Sequence, residues 1–173
     1  SEMCIRDRYA TGTASFTVTD LLIDEASTTD IYVSNYNATA TLINSDVDWG
    51  SFTWDGSGSG VVQRQYTFRV RVVDTQGSPI NGAHVVLKDK DNATTSDQYT
   101  DENGYIQQVT VTTDIYSYTA TTTKNPYNLS VTASGKQDYS QSLPISSALD
   151  FSVVMSGICD PSGEDFSYPM KVA

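Results

Sequence analysis

The stretch YTFRVRVVDTQGSPINGAHVVLKDK, residues 66–90, decides the fold. Tyr66, Phe68, Val70 and Val72 fall on one parity, and Thr67, Arg69 and Arg71 on the other. Beyond the link, Ala83, Val85 and Leu87 share a parity against His84 and Lys88. A period of two means strands with one buried and one wet face. The link DTQGSPINGA holds two glycines and a proline, so the chain reverses there. Two alternating strands around a tight reversal predict an antiparallel β-sandwich, a scaffold that holds things more often than it performs chemistry.

Working outward, TDENGY (100–105) is a second tight turn. Strands are expected at about 64–74, 82–89, 95–100, 104–112, 115–122, 127–134, 137–143 and 148–155. In the last of these, Leu149, Phe151, Val153 and Met155 point one way and Asp150, Ser152 and Val154 the other. Residues 61–156 thus form the best-defined domain. Before it, GSFTWDGSGSG places a Gly/Ser linker at 51–60. After it, residues 157–173 lack periodicity and read as a linker or the start of a further domain.

Residues 9–50 hold the short β runs FTVTDLLID (16–24), IYVSN (31–35) and ATLINSDVD (40–48). The first and third align at an offset of 24, so that Val18 meets Leu42, Asp20 meets Asn44, Ile23 meets Val47 and Asp24 meets Asp48. An offset of this size suggests the coils of a solenoid. NATATLINSDVDW resembles the last coils of a right-handed parallel β-helix. Two coils cannot bury a continuous core alone, so the segment is either the tail of a longer β-solenoid or a set of extra strands packed on the following domain. Residues 1–8, SEMCIRDR, resemble the translated adapter found at the ends of metagenomic reads, and the chain reads as a fragment.

Composition supports an all-β chain. Among 173 residues there are 22 Thr, 16 Val and 11 Tyr but only 7 Leu, and no window sustains a helical apolar pattern. The net charge of −11 repels polyanions, which argues against nucleic acid as a partner. The excess of Asp over Glu fits turns, where Asp bonds its own local backbone. Cys4 and Cys159 form no CxxC, and one histidine cannot complete a zinc site with them. No apolar run approaches the ~18 residues of a membrane span.

The stretch RVRVVDTQGSPINGAHVVLKDKDNATTSDQYTDENGYIQ resembles the carboxypeptidase regulatory-like domains, which belong with the transthyretin-like (prealbumin-like) sandwiches. The pattern is strand, D-x-x-G-x-P-I-x-G-A, strand, loop, T-D-x-x-G, strand. Here it is carried by Asp74, Gly77, Pro79, Ile80, Gly82 and Ala83, then Thr100, Asp101 and Gly104. The resemblance covers about 95 residues and implies a fold more than a function. Cna-B-type pilin and adhesin modules join their first and last strands by a Lys–Asn isopeptide bond. That crosslink is not expected, because the first strand offers Arg64, Arg69 and Arg71 but no Lys, and 148–155 has no Asn.

No constellation singles out a catalytic residue or a cofactor site, and the chain is expected not to be an enzyme. His84 is the only histidine and sits on an outer parity. Asp89, Asp91, Asn92, Asp97 and Asp101 make an oxygen-rich loop of the kind that takes Ca²⁺, although the spacing departs from the EF-hand pattern. Asp46, Asp48 and Asp55 form a second acidic group. Trp54, beside Trp49, is either an edge cap of a core or a stacking platform for a sugar. Tyr116 and Tyr118 share a parity and either fill a Leu-poor core or face a carbohydrate. Arg69 and Arg71 lie about 7 Å apart on one face. They either pair with neighbouring acids or dock an acidic glycan or protein. Asn37, Asn92 and Asn128 begin N-x-[ST] sequons.

The expectation is a non-catalytic extracellular module of a larger cell-surface or secreted protein, with carbohydrate or another surface protein as candidate partners. The alternatives are a carbohydrate-binding accessory module of a polysaccharide-active enzyme, or a segment of a virion fibre or tail spike.

Overall fold

The computed structural model describes residues 15–22, 31–33, 39–50, 52–54 and 59–158, the side chains of Ile31 and Tyr32 excepted. These residues form no helix and twelve strands: β1 (Ser15–Thr19), β2 (Ile31–Val33), β3 (Thr39–Ile43), β4 (Phe52–Trp54), β5 (Val61–Asp74), β6 (His84–Lys88), β7 (Thr94–Tyr99), β8 (Val109–Ser117), β9 (Thr121–Thr123), β10 (Tyr127–Thr132), β11 (Tyr139–Leu143) and β12 (Leu149–Met155). The chain is all-β. Cys4, Cys159, Asn37, Asp24, Asp55 and residues 1–8 lie outside the described residues.

Two sheets face each other across the main core. One has the order β11-β10-β6-β7, all antiparallel. The other has the order β1-β3-β5-β8-β9, with β12 also on β5. The alternation at 66–72 puts Tyr66, Phe68, Val70 and Val72 inward, where they meet Val85, Leu87, Leu129 and Val131 of the opposite sheet. Burying each such side chain is worth roughly 1.5–3 kcal/mol before entropy is subtracted. Tyr127 fills space that a Leu-poor sequence leaves, and its hydroxyl donates to the Thr112 carbonyl at 2.5 Å.

The larger sheet is mixed, which corrects the expectation of an antiparallel sandwich. β12 runs parallel to β5, from Leu149 opposite Phe68 to Met155 opposite Asp74. Alternation fixes which face a residue occupies and is blind to strand direction. A second correction concerns residues 104–122. Val109–Ser117 is one strand, not two broken near 113. Arg64 pairs with Asp114 and Gln65 with Thr112, so Thr113 is the extra residue of a β-bulge. Its buried hydroxyl donates to the Arg64 carbonyl, and the bulge shifts the side-chain parity between Thr112 and Asp114. Val73, on the outer parity of β5, is buried rather than wet.

β1, β3 and the first five residues of β5 form a parallel ladder. Ser15 pairs with Thr39 and Thr39 with Val61, at offsets of 24 and 22 residues. Val18 is opposite Leu42, and Leu22 bridges Asp46 at the same 24-residue spacing. β2 and β4 make a second parallel pair, so Phe52–Trp54, within the expected linker, is strand. Asp20 and Asn44 end their rungs with φ of 55° and 52°, a conformation that Asp and Asn tolerate best among residues with a Cβ. Between the ladders lies a smaller core of Leu21, Ala40, Leu42, Val47 and Val62. β5 therefore belongs to both cores, with Val62 in the smaller and Phe68, Val70 and Val72 in the larger.

Candidate functional site

The acids that suggested a cation site build turns. Asp74, Asp89 and Asp101 each use Oδ1 to accept the amides two and four residues on, all at 2.9 Å. In each turn the residue three on has positive φ: Gly77 at 84°, Asn92 at 64° and Gly104 at 79°. Its amide donates back to the Asp carbonyl at 3.0 Å in all three. The carboxylate replaces the hydrogen-bond partners a tight turn cannot supply, which is why Asp outnumbers Glu here. D-x-x-[GN]-x was the readable signal, and Asn92 was its missed member.

Of the four candidate ligands, Asp89 and Asp91 share Lys124, while Asp97 and Asp101 are engaged elsewhere. Asp89, only 5% exposed, also takes Lys124 at 3.1 Å. Burial alone would raise its pKa, but the Ala93 amide, Lys124 and the Asp91 amide outweigh it and hold the carboxyl below its ordinary value. Asp91 pairs with Lys90 at 2.7 Å and Lys124 at 3.2 Å, and these two lower its pKa. Asp97 contacts His84 Nε2 at 2.6 Å, and the imidazole stacks on Tyr99. Asp101 faces the amides of its own turn. Among the described residues no three His, Cys, Asp or Glu side chains converge as a metal site would require.

The aromatic candidates part company. Tyr116 stacks on Trp49 with centroids 5.4 Å apart and tilts against Phe52 at 4.9 Å, so its ring is engaged within the smaller core's rim. Burial first, then the Asp114 charge, raises its phenol pKa. Trp54 leans on Phe52 at 6.1 Å and is partly buried. Arg64 joins this cluster to the main core: its guanidinium lies 4.8 Å from the Trp49 ring and donates to the Tyr66 hydroxyl at 2.7 Å. Tyr118 stands apart beyond β8, 52% exposed.

Arg69 and Arg71 lie on the outer face, as their parity implies. Arg69 makes a two-pronged pair with Asp150 of β12, at 3.1 and 2.9 Å, which raises the guanidinium pKa. Tyr105 lies against both arginines, 4.7 Å from Arg69 and 5.4 Å from Arg71. Arg69–Asp150 thus joins the first and last strands of the sandwich without a covalent bond. Asn92 and Asn128 are exposed.

No family model matches the chain, and no curated protein matches it in sequence. Among solved structures, it is similar to the minor pilin of Streptococcus agalactiae, at 14% identity and a TM-score of 0.41 over 66% of this chain and 53% of that one. It is similar to the major pilin subunit of Bacillus cereus, at 14% identity and a TM-score of 0.38 over 53% of this chain and 28% of that one. It is also similar to the 3-chlorocatechol 1,2-dioxygenase of Rhodococcus opacus, at 12% identity and a TM-score of 0.40 over 54% of this chain and 60% of that one. In each case the match spans less than two thirds of the neighbour's length. Likenesses this distant leave function to be argued from the chain itself. Among the described residues no helix is long and apolar enough to cross a membrane.

Proposed function

We propose that this chain is a non-catalytic structural module of a larger extracellular or cell-surface protein, in which a carboxypeptidase regulatory-like sandwich is fused to the last coils of a parallel β-solenoid and sets its direction. The observation that carries this reading is β5. Its fourteen residues are unbroken, with β3 along residues 61–65 and β12 along residues 68–74 of the same edge. A flexible tether between two domains lets them reorient, whereas a strand shared by two cores fixes one against the other. The charged side chains support the same role, since Asp74, Asp89, Asp101, Arg64 and Arg69 each hold a turn or join strands. The acidic surface and exposed sequons suit a secreted setting.

The test is a distance distribution by pulsed electron spin resonance between labels at Thr17 on β1 and Ser140 on β11, with Cys4 and Cys159 replaced by Ser. A rigid spacer gives one narrow distance that persists when glycerol or salt is varied. A broad distribution overturns the reading.

A further inference from the structure

We propose that the outer edge of β12 is a pairing surface for a second copy of this chain. β3 and β12 lie end to end along one edge of β5. β1 covers the outer side of β3 and ends at Thr19, while among the described strands β12 pairs with β5 alone. Among the described residues the result is a step in the sheet: the outward-pointing backbone groups of β12 have no strand partner, and pairing on that chain resumes only beyond Met155, where Ser156 and Ile158 bond to Gln137 and Gly135. Edge strands are ordinarily blunted by lysine, proline, a bulge or brevity. LDFSVVM carries one charge, Asp150, and Arg69 already neutralises it. Val154 stands 57% exposed on the outer face, and Leu149 and Phe151 on the inner face are only half-buried, so the core is incompletely closed at this edge.

A second β12 answers these needs. Two such strands related by a twofold axis at Ser152 run antiparallel, with Leu149 opposite the partner's Met155 and Phe151 opposite the partner's Val153. Because the axis stands perpendicular to the sheet, apolar faces fall on the same side and the two larger sheets become one. The step is self-complementary: each partner's β12 occupies the row that β1 leaves empty, and the two coil stacks project from opposite ends.

Sedimentation velocity on the full chain, at one fixed and moderate salt concentration for the parent and all variants, tests this. The parent is expected to dimerise with rising concentration. Ser152→Lys and Ser152→Asp each place like charges opposite one another at the axis and weaken the dimer about tenfold or more. Mixing the two variants restores pairing, because opposite charges then meet. Thermal scans of each variant establish that the exposed substitution leaves the fold intact. A parent that stays monomeric to its solubility limit overturns the proposal, as does a dimer indifferent to both substitutions or a mixture that pairs no better than either variant alone.

Discussion

Gly104→Ala is the substitution whose cost the structure specifies most closely. Gly104 closes the Asp101 turn at φ 79°, in the left-handed region where a Cβ costs roughly 1–2 kcal/mol. A Cβ there would also lie 2.5 Å from the Val72 carbonyl oxygen and 3.1 Å from Pro79 Cβ. The carbonyl cannot retreat freely, because it accepts the Ile80 amide at 3.0 Å while the Val72 amide donates to the Gly104 carbonyl at 2.8 Å. Losing or stretching one of these bonds adds about 1 kcal/mol. The total is roughly 2–3 kcal/mol, a large share of the 5–15 kcal/mol that stabilises an ordinary domain. Gly77→Ala is the internal control, since Gly77 has φ 84° but nothing within 4 Å of its virtual Cβ. It carries the conformational cost alone, roughly 1–2 kcal/mol. Urea unfolding followed by tryptophan fluorescence measures both, with equal m-values expected. If the two variants shift the midpoint equally, the close approach of Gly104 to β5 is wrong.

Asn92→Gly relieves the same left-handed strain in the Asp89 turn, and urea unfolding should show a gain of a few tenths to about 1 kcal/mol. Burial pushes the Tyr127 phenol up to about 12. A folded-state value above the unfolded one near 10 means stability that is whole below about pH 10 and falls as pH rises toward 12. Tyr127→Phe should flatten that alkaline loss in a melting series, while costing about 1 kcal/mol at neutral pH for the hydrogen bond to Thr112. Asp89 shows the opposite sign. Its lowered pKa contributes stability above about pH 4 that is lost as pH falls through the folded value, and Asp89→Asn should remove part of the acid dependence. A chain of residues 60–158 retains the whole main core and should melt cooperatively; a featureless scan would mean that the smaller core is needed to fold it.

What the sequence disclosed depended on whether the controlling interaction was local. The parity of β5, β6 and β12 was legible because each residue's face follows from its neighbours two positions away. Gly77 and Gly104 were legible as turn residues for the same reason. The bulge at Thr113 was hidden, since it depends on Arg64, far off in the chain. The direction of β12 was hidden too, because alternation is the same whichever way a strand points. Among the candidate residues, the sequence showed which side chains Arg69 and Arg71 share a face with. That Asp150 would claim Arg69 required knowing that β12 lies beside β5. Asp89, Asp91, Asp97 and Asp101 looked like one cluster because they are close in sequence, yet Asp89 and Asp91 share one turn around Lys124, Asp97 stands on β7 and Asp101 opens the turn after it.

The parallel pairing of β5 with β12 determines how this module bears tension. Force transmitted along the polypeptide enters the sandwich at the start of β5 and leaves it at Met155. In a parallel pair these points lie at opposite ends, so the pull slides the strands past each other and loads all the register positions from Phe68 to Asp74 at once. Neighbouring antiparallel strands joined by a short turn would instead be peeled apart one bond at a time. The Arg69–Asp150 pair spans the sliding interface and resists its first displacement. Loading of this kind is expected to make the pair yield abruptly, all its bonds together, instead of stretching gradually.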